Sequence, residues 1–105
     1  MLKTITNEQK VKFNLNPLTE AGNPGSVDGT PIWTVVSGDA TLEVDPNGMG
    51  AYLVSGEANI NSVIQVEADV DLGEGVSTLV DTIDLAVVAA TVSSLGLVEG
   101  EVILK

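Results

Sequence analysis

The sequence contains no histidine and no cysteine, and only three of its 105 residues are aromatic: Phe13, Trp33 and Tyr52. Each absence removes a class of chemistry. Without imidazole there is no side chain that ordinarily titrates near neutral pH as a general base. Without thiols there is no thiolate nucleophile, no disulfide and no zinc–cysteine centre. Ser37, Ser55 and Ser93 stand outside any Ser-x-x-Lys context, and no Gly-x-Ser-x-Gly elbow occurs. The many acids offer many carboxylate pairs, so no single pair stands out as an acid/base couple. The expectation is a protein without enzymatic activity and without a cofactor.

Positive charge is equally scarce. The basic residues are Lys3, Lys10, Lys12 and Lys105, so the stretch from residue 13 to residue 104 holds none, while every one of the 15 acids except Glu8 lies there. The formal charge of −11 repels phosphate, which excludes nucleic acid and anionic lipid surfaces as natural partners. Long apolar runs are missing too. The longest, Leu85-Ala86-Val87-Val88-Ala89-Ala90, falls far short of the roughly 20 residues that span a bilayer. Met1 is followed by Lys3, Asn7, Glu8 and Lys10 rather than by the apolar core of a signal peptide. No membrane partner is expected, and synthesis in a cytoplasm is.

What remains is a chain that is 44% hydrophobic and 18% charged, too apolar for a disordered acidic tail. Its dominant hydrophobic period is two. Val11, Phe13 and Leu15 alternate with Lys12, Asn14 and Asn16, and Pro17 closes that strand. Residues 20–31 are rich in turn signals and read as a loop, followed by a strand over 31–36 with Trp33 and Val35 on one face. Asp45-Pro46-Asn47-Gly48 predicts a hairpin turn between strands at 40–44 and 51–54. Over 63–72, Ile64, Val66, Ala68 and Val70 alternate with Gln65, Glu67, Asp69 and Asp71. A last run over 79–89 is expected to bury Ile83, Leu85 and Val87 and to turn Asp81 and Asp84 outward. Turns break the chain every 8–12 residues or so, the pattern of an antiparallel sandwich or small barrel. The expected core is Phe13, Trp33, Leu42, Leu53, Ile64, Val66, Ile83, Leu85 and Val87, with Trp33 as its central plug.

Val27-Asp28-Gly29-Thr30-Pro31-Ile32-Trp33, the following Ala40-Thr41-Leu42, the acidic Ala68-Asp69-Val70-Asp71-Leu72-Gly73-Glu74-Gly75-Val76 and Asp84-Leu85-Ala86-Val87-Val88-Ala89 carry a resemblance. Together they resemble the small immunoglobulin-like proteins encoded among phage and prophage structural genes, in the style of bacterial immunoglobulin-like (BIG2) domains. The similarity covers residues 9–92 or so. It implies an all-β, immunoglobulin-like Greek-key sandwich of about 7–9 antiparallel strands over residues 1–90. It also implies a virion accessory protein, foremost a capsid decoration or cement protein. Its partner would be the major capsid protein or another virion protein, with homo-oligomers possible on the particle. A host-adhesion or tail/neck immunoglobulin-like binding module is the alternative.

Three groups of residues are candidates for sites. Lys3, Lys10 and Lys12 form a cationic cluster that could dock on a partner. A solubility surface whose lysines protect an edge strand from unwanted pairing is preferred. Asp69, Asp71 and Glu74 fall within six residues beside two glycines and could, with Asp81, contribute to a calcium site. They fail the EF-hand template, since Glu74 stands where glycine is needed and Val80 where the bidentate acid is needed, so a solvated strand end is preferred. Residues 91–105 extend past the last strand with Leu95, Leu97, Val98, Val102, Ile103 and Leu104 as an apolar set. A further strand inside the sandwich is preferred there over an arm that reaches a neighbour. Of this set Leu95, Leu97, Val102 and Leu104 are the candidate partner-binding residues.

Overall fold

A computed structural model describes residues 1–71 and 75–105, with only the backbone of Asp71 described. The described residues contain no helix and seven strands: β1 (Leu2–Thr6), β2 (Lys10–Asn14), β3 (Val27–Ser37), β4 (Thr41–Val44), β5 (Gly50–Val54), β6 (Ser62–Asp71) and β7 (Val76–Val88). They form two sheets. One runs β1-β7-β6-β3, the other β2-β5-β4. The chain is all-β.

The sheets face each other through the residues that the two-residue period marks. Ile64 and Val66 of β6, Ile83, Leu85 and Val87 of β7, and Trp33 of β3 are buried against Ala51 and Leu53 of β5. Ile5 and Ala40 close the cluster, with Phe13 and Leu42 half-buried at its margin. Trp33 joins the two layers. Its indole Nε1 donates a buried hydrogen bond of 2.8 Å to the carbonyl of Gly48, in the turn between β4 and β5. That turn is closed by the Gly48 amide donating to Asp45 O at 2.9 Å and by Asn47 Oδ1 accepting from the Met49 amide at 3.0 Å. Gly48 has a φ of +72°, and a Cβ there would lie 2.8 Å from Thr30 Cγ2. Only glycine combines that backbone with so close an approach.

Four features differ from the sequence expectations. The first is β1, whose single buried residue, Ile5, is too little to create a visible period. It pairs with β7 in parallel, so the sandwich is not wholly antiparallel. The second is the start of β3. The Asp28-Gly29 and Pro31 signals, read as loop, lie inside the strand, where the register with β6 shifts between Asp28 and Ile32. A bulge accommodates both Gly29 at φ +82° and the missing amide of Pro31.

The third difference is Asp81. It pairs with the buried Val66, and directly paired residues share a face. Asp81 therefore sits on the inner face with Ile83, not outward with Asp84. It is exposed because the shorter second sheet does not reach it.

The fourth is the tail. Residues 91–105 form no strand and are exposed throughout, where the sequence pattern favours an internal strand. Both sides of β7 are already occupied where the chain leaves it. β1 pairs with residues 84–88 on one side, while β6 and the Asn59 amide and Asn61 side chain take the other. No sheet edge beside Val88 is left for the tail. Its nearest anchor is the Ala90 amide, which donates to Asn7 Oδ1 at 2.8 Å. The molecule measures 85 × 24 × 24 Å, longer than the roughly 45 Å of a strand the length of β7.

Candidate functional site

The lysines are not brought together as one cluster. Lys10 and Lys12 project from the outer face of the short sheet, where β5 lies between β2 and β4. Tyr52, at the centre of that face, pairs with both Lys12 and Glu43. The two ammonium groups lie over its ring, with Nζ 4.4 Å from the centroid for Lys10 and 5.0 Å for Lys12. Each then donates across the ring to an acid on or beside β4: Lys10 to Glu43 at 2.8 Å, and Lys12 to both oxygens of Asp45 at 2.7 Å. The hydrogen bond and the negative charge of Glu43 raise the Lys10 pKa above its ordinary 10.5. This face is a cross-strand ladder of paired charges around one aromatic ring. Lys3 stands apart on β1, an edge of the other sheet. Sequence reasoning did not single out Tyr52, although its place between Lys12 and Glu43 follows once the hairpin register is known.

Of the acids considered for calcium, Asp69 accepts a hydrogen bond from Thr78 Oγ1 at 2.6 Å across the β6–β7 pair. The side chain of Asp71 and the whole of Glu74 lie outside the described residues. Among the described residues no three acids gather at metal-binding distance.

A different surface emerges from the mismatch in sheet lengths. β3, β6 and β7 have 11, 10 and 13 residues, whereas β2, β5 and β4 have five, five and four. The long sheet therefore overhangs the short one. Beneath the overhang lies an open groove of about 400 Å³, floored by Val66, Ala68, Val70 and Leu79 and walled by Asn14 at the end of β2 and residues 15–17 after it. Among the described residues Asp81 is the acidic side chain that lines it. The loop that walls it is held by the Leu15 amide donating to Met49 O at 2.7 Å and the Gly25 amide donating to Pro17 O at 2.8 Å.

The rim of the groove is an edge of β7. Midway along that strand, Met1 N donates to Thr82 O at 3.3 Å and the Asp84 amide donates to Met1 O at 2.7 Å. Even-numbered residues of β7 thus turn their amides and carbonyls toward β1. By the alternation of a strand, Val76, Thr78 and Val80 present theirs on the same side, beyond the point where β1 begins. Val76, Leu79 and Val80 are each 55% exposed.

Among the described residues the tail supplies the largest apolar exposure. Leu95, Leu97 and Leu104 are 98%, 99% and 98% exposed, and Val92, Val98, Val102 and Ile103 are exposed with them. Comparison with protein-family models, with curated proteins and with solved structures finds no match for this chain.

Proposed function

We propose that this chain is a virion accessory protein with an immunoglobulin-like Greek-key sandwich, acting foremost as a capsid decoration or cement protein that binds the major capsid protein. The sheet orders β1-β7-β6-β3 and β2-β5-β4, with a tryptophan on the third strand at the centre of the core, support the immunoglobulin-like reading. The resemblance of residues 9–92 to phage structural proteins supports the virion. The observation that carries the function is the arm of residues 91–105, which holds an apolar set fully in water outside a sandwich that is complete without it. A segment of that kind is stabilised by surface supplied on assembly.

The mechanism is mass action. Many copies bind an assembled shell and shift its equilibrium away from disassembly, each contributing a small increment. The lysine cluster is not the docking element in this reading, because Lys10 and Lys12 already hold intramolecular partners. The acidic outer surfaces then oppose non-specific adhesion. Host adhesion draws less support, since Trp33 is buried and Tyr52 lies under two lysines. Co-sedimentation of the purified protein with expanded heads of the phage that encodes it tests the proposal. Saturable binding that raises the temperature of head disruption is the expected result. Absence of binding to either emptied or expanded heads overturns it.

A further inference from the structure

Two unsatisfied surfaces of this molecule complement each other. One is the exposed arm. The other is the open stretch of the β7 edge, with the groove beneath it. We propose that the arm of one copy adds as a strand to the Val76–Val80 edge of β7 in a second copy of this chain, laying alternate apolar side chains into that copy's groove.

The edge offers what an incoming strand needs. The outward groups of Val76, Thr78 and Val80 continue the row that Thr82 and Asp84 use for Met1 and β1. An added strand would therefore extend an established line of pairing instead of creating a new one. The inner side of the edge, marked by Leu79, opens into the apolar groove, so side chains of the added strand at every second position lie beside Leu79 and face the groove that Ala68, Val70 and Pro17 line. The arm supplies such positions twice, in Leu95 and Leu97 and in Val102 and Leu104. Lys105, the only cation beyond residue 12, brings a positive charge to a groove lined by Asp81.

Geometry favours a second copy over the same one. The arm leaves the sandwich after Val88, at the opposite end of β7 from the open edge, and β1 stands beside β7 between the two. Fifteen extended residues reach about 50 Å, enough to leave one sandwich and cross a neighbour's edge. Within one chain the arm would have to reverse direction and run the length of β7 outside β1, leaving only its last residues for the groove. The contact is heterologous, arm to edge, so it either closes by reciprocal exchange or propagates from copy to copy.

The inference does not depend on what the assembled copies cover. Sedimentation velocity of the full chain at rising concentration tests it, at low and at high salt. The expected result is a mass that at least doubles with concentration, and does so at several-fold lower concentration in high salt, because salt screens the repulsion between two chains of charge −11. Val80→Pro removes an outward amide while leaving the β6–β7 ladder whole, and Thr78→Pro serves the same purpose in a second background. Each is expected to be a monomer with an unchanged strand circular dichroism spectrum. A full-length chain carrying Leu95→Asp, Leu97→Asp, Val102→Asp and Leu104→Asp is expected to be a folded monomer as well. Mixed one to one, the Val80→Pro chain and the arm variant should form a two-chain species, since one retains an intact arm and the other an intact edge. A wild-type protein that stays monomeric at every concentration overturns the inference, as does assembly by either variant alone or a mixture that fails to pair. Head binding by the monomeric Val80→Pro chain would leave the virion reading standing, so the two proposals can fail separately.

Discussion

The long sheet of this protein passes through two environments without a break in its strands. Where β2, β5 and β4 face it, Ile64, Leu85 and Val87 are buried almost completely. Where it overhangs, the same inward stripe leaves Leu79 more than half exposed and Asp81 exposed, while Val70 is covered with the 17–25 loop nearby. The hydrophobic pattern does not change between these halves: β6 alternates Ile64, Val66, Ala68 and Val70 from one into the other. What changes is the presence of a partner layer. An apolar stripe becomes core only where another element is available to face it; elsewhere it is a surface that can bind.

The comparison is sharpest for substitutions in the two halves of the long sheet. Trp33→Ala in the covered half should cost roughly 3–5 kcal/mol, since it empties the centre of the core and leaves the Gly48 carbonyl without its donor. Leu85→Ala should follow at roughly 2–5 kcal/mol. Leu79→Ala, measured in dilute solution by the same denaturant titration, should stay within about 1 kcal/mol. Equal losses at Leu85 and Leu79 would mean that the overhang is buried in the single chain, and the distinction between the halves would fail.

Smaller effects probe how the covered half is stitched together. Ser62 is buried, and its Oγ accepts from the Ala40 amide at 3.1 Å. Ser62→Ala strands that amide and should cost about 1–3 kcal/mol by chemical denaturation, whereas Ser77→Ala, on the exposed β7 overhang, should be close to neutral. Gly48→Ala should destabilise the fold by about 1–3 kcal/mol in the same titration, through both its backbone conformation and the approach of Thr30.

The smallest effects belong to the charged ladder. Lys12→Met should cost at most about 1 kcal/mol, and less in high salt. The Lys10–Glu43 pair has a defined pH window. Lys10 titrates above its ordinary 10.5 in the fold, so its contribution is complete below that value and is lost as pH rises through the raised folded pKa. Melting curves of wild type and Lys10→Met should therefore differ slightly at neutral pH and converge at strongly alkaline pH. A difference that persists there would assign the effect to packing on Tyr52 instead of charge.

Much of the strand content was legible because burial on one face imposes a period of two. The β6 and β7 alternation, the Asp45-Pro46-Asn47-Gly48 hairpin and the buried Trp33 all follow from local pattern and turn chemistry. β1 was not legible, because one buried residue in five carries no period. The early start of β3 was hidden by Gly29 and Pro31, which signal a loop in isolation and a bulge when a neighbouring strand holds the chain. Asp81 was misplaced because its charge suggested an outward position, whereas its parity with Ile83 puts it inward on a part of the sheet that nothing covers. The groove residues carried no local signal at all. Leu15, Pro17, Ala68 and Leu79 come together only through the unequal lengths of two sheets.

By itself, the sequence determined what this protein lacks and how its strands face: no imidazole or thiol chemistry, little cationic surface, and apolar residues at every second position. Those properties are composition and period, which exist before the chain folds. Only the tertiary structure decided where the lysines stand, because Lys10, Lys12, Glu43, Asp45 and Tyr52 meet through the register of three strands. It also decided the fate of the tail, because an apolar segment joins a sheet only where an edge is open, and β1, β6 and the segment before β6 had already closed both sides of β7 at the point where the tail begins.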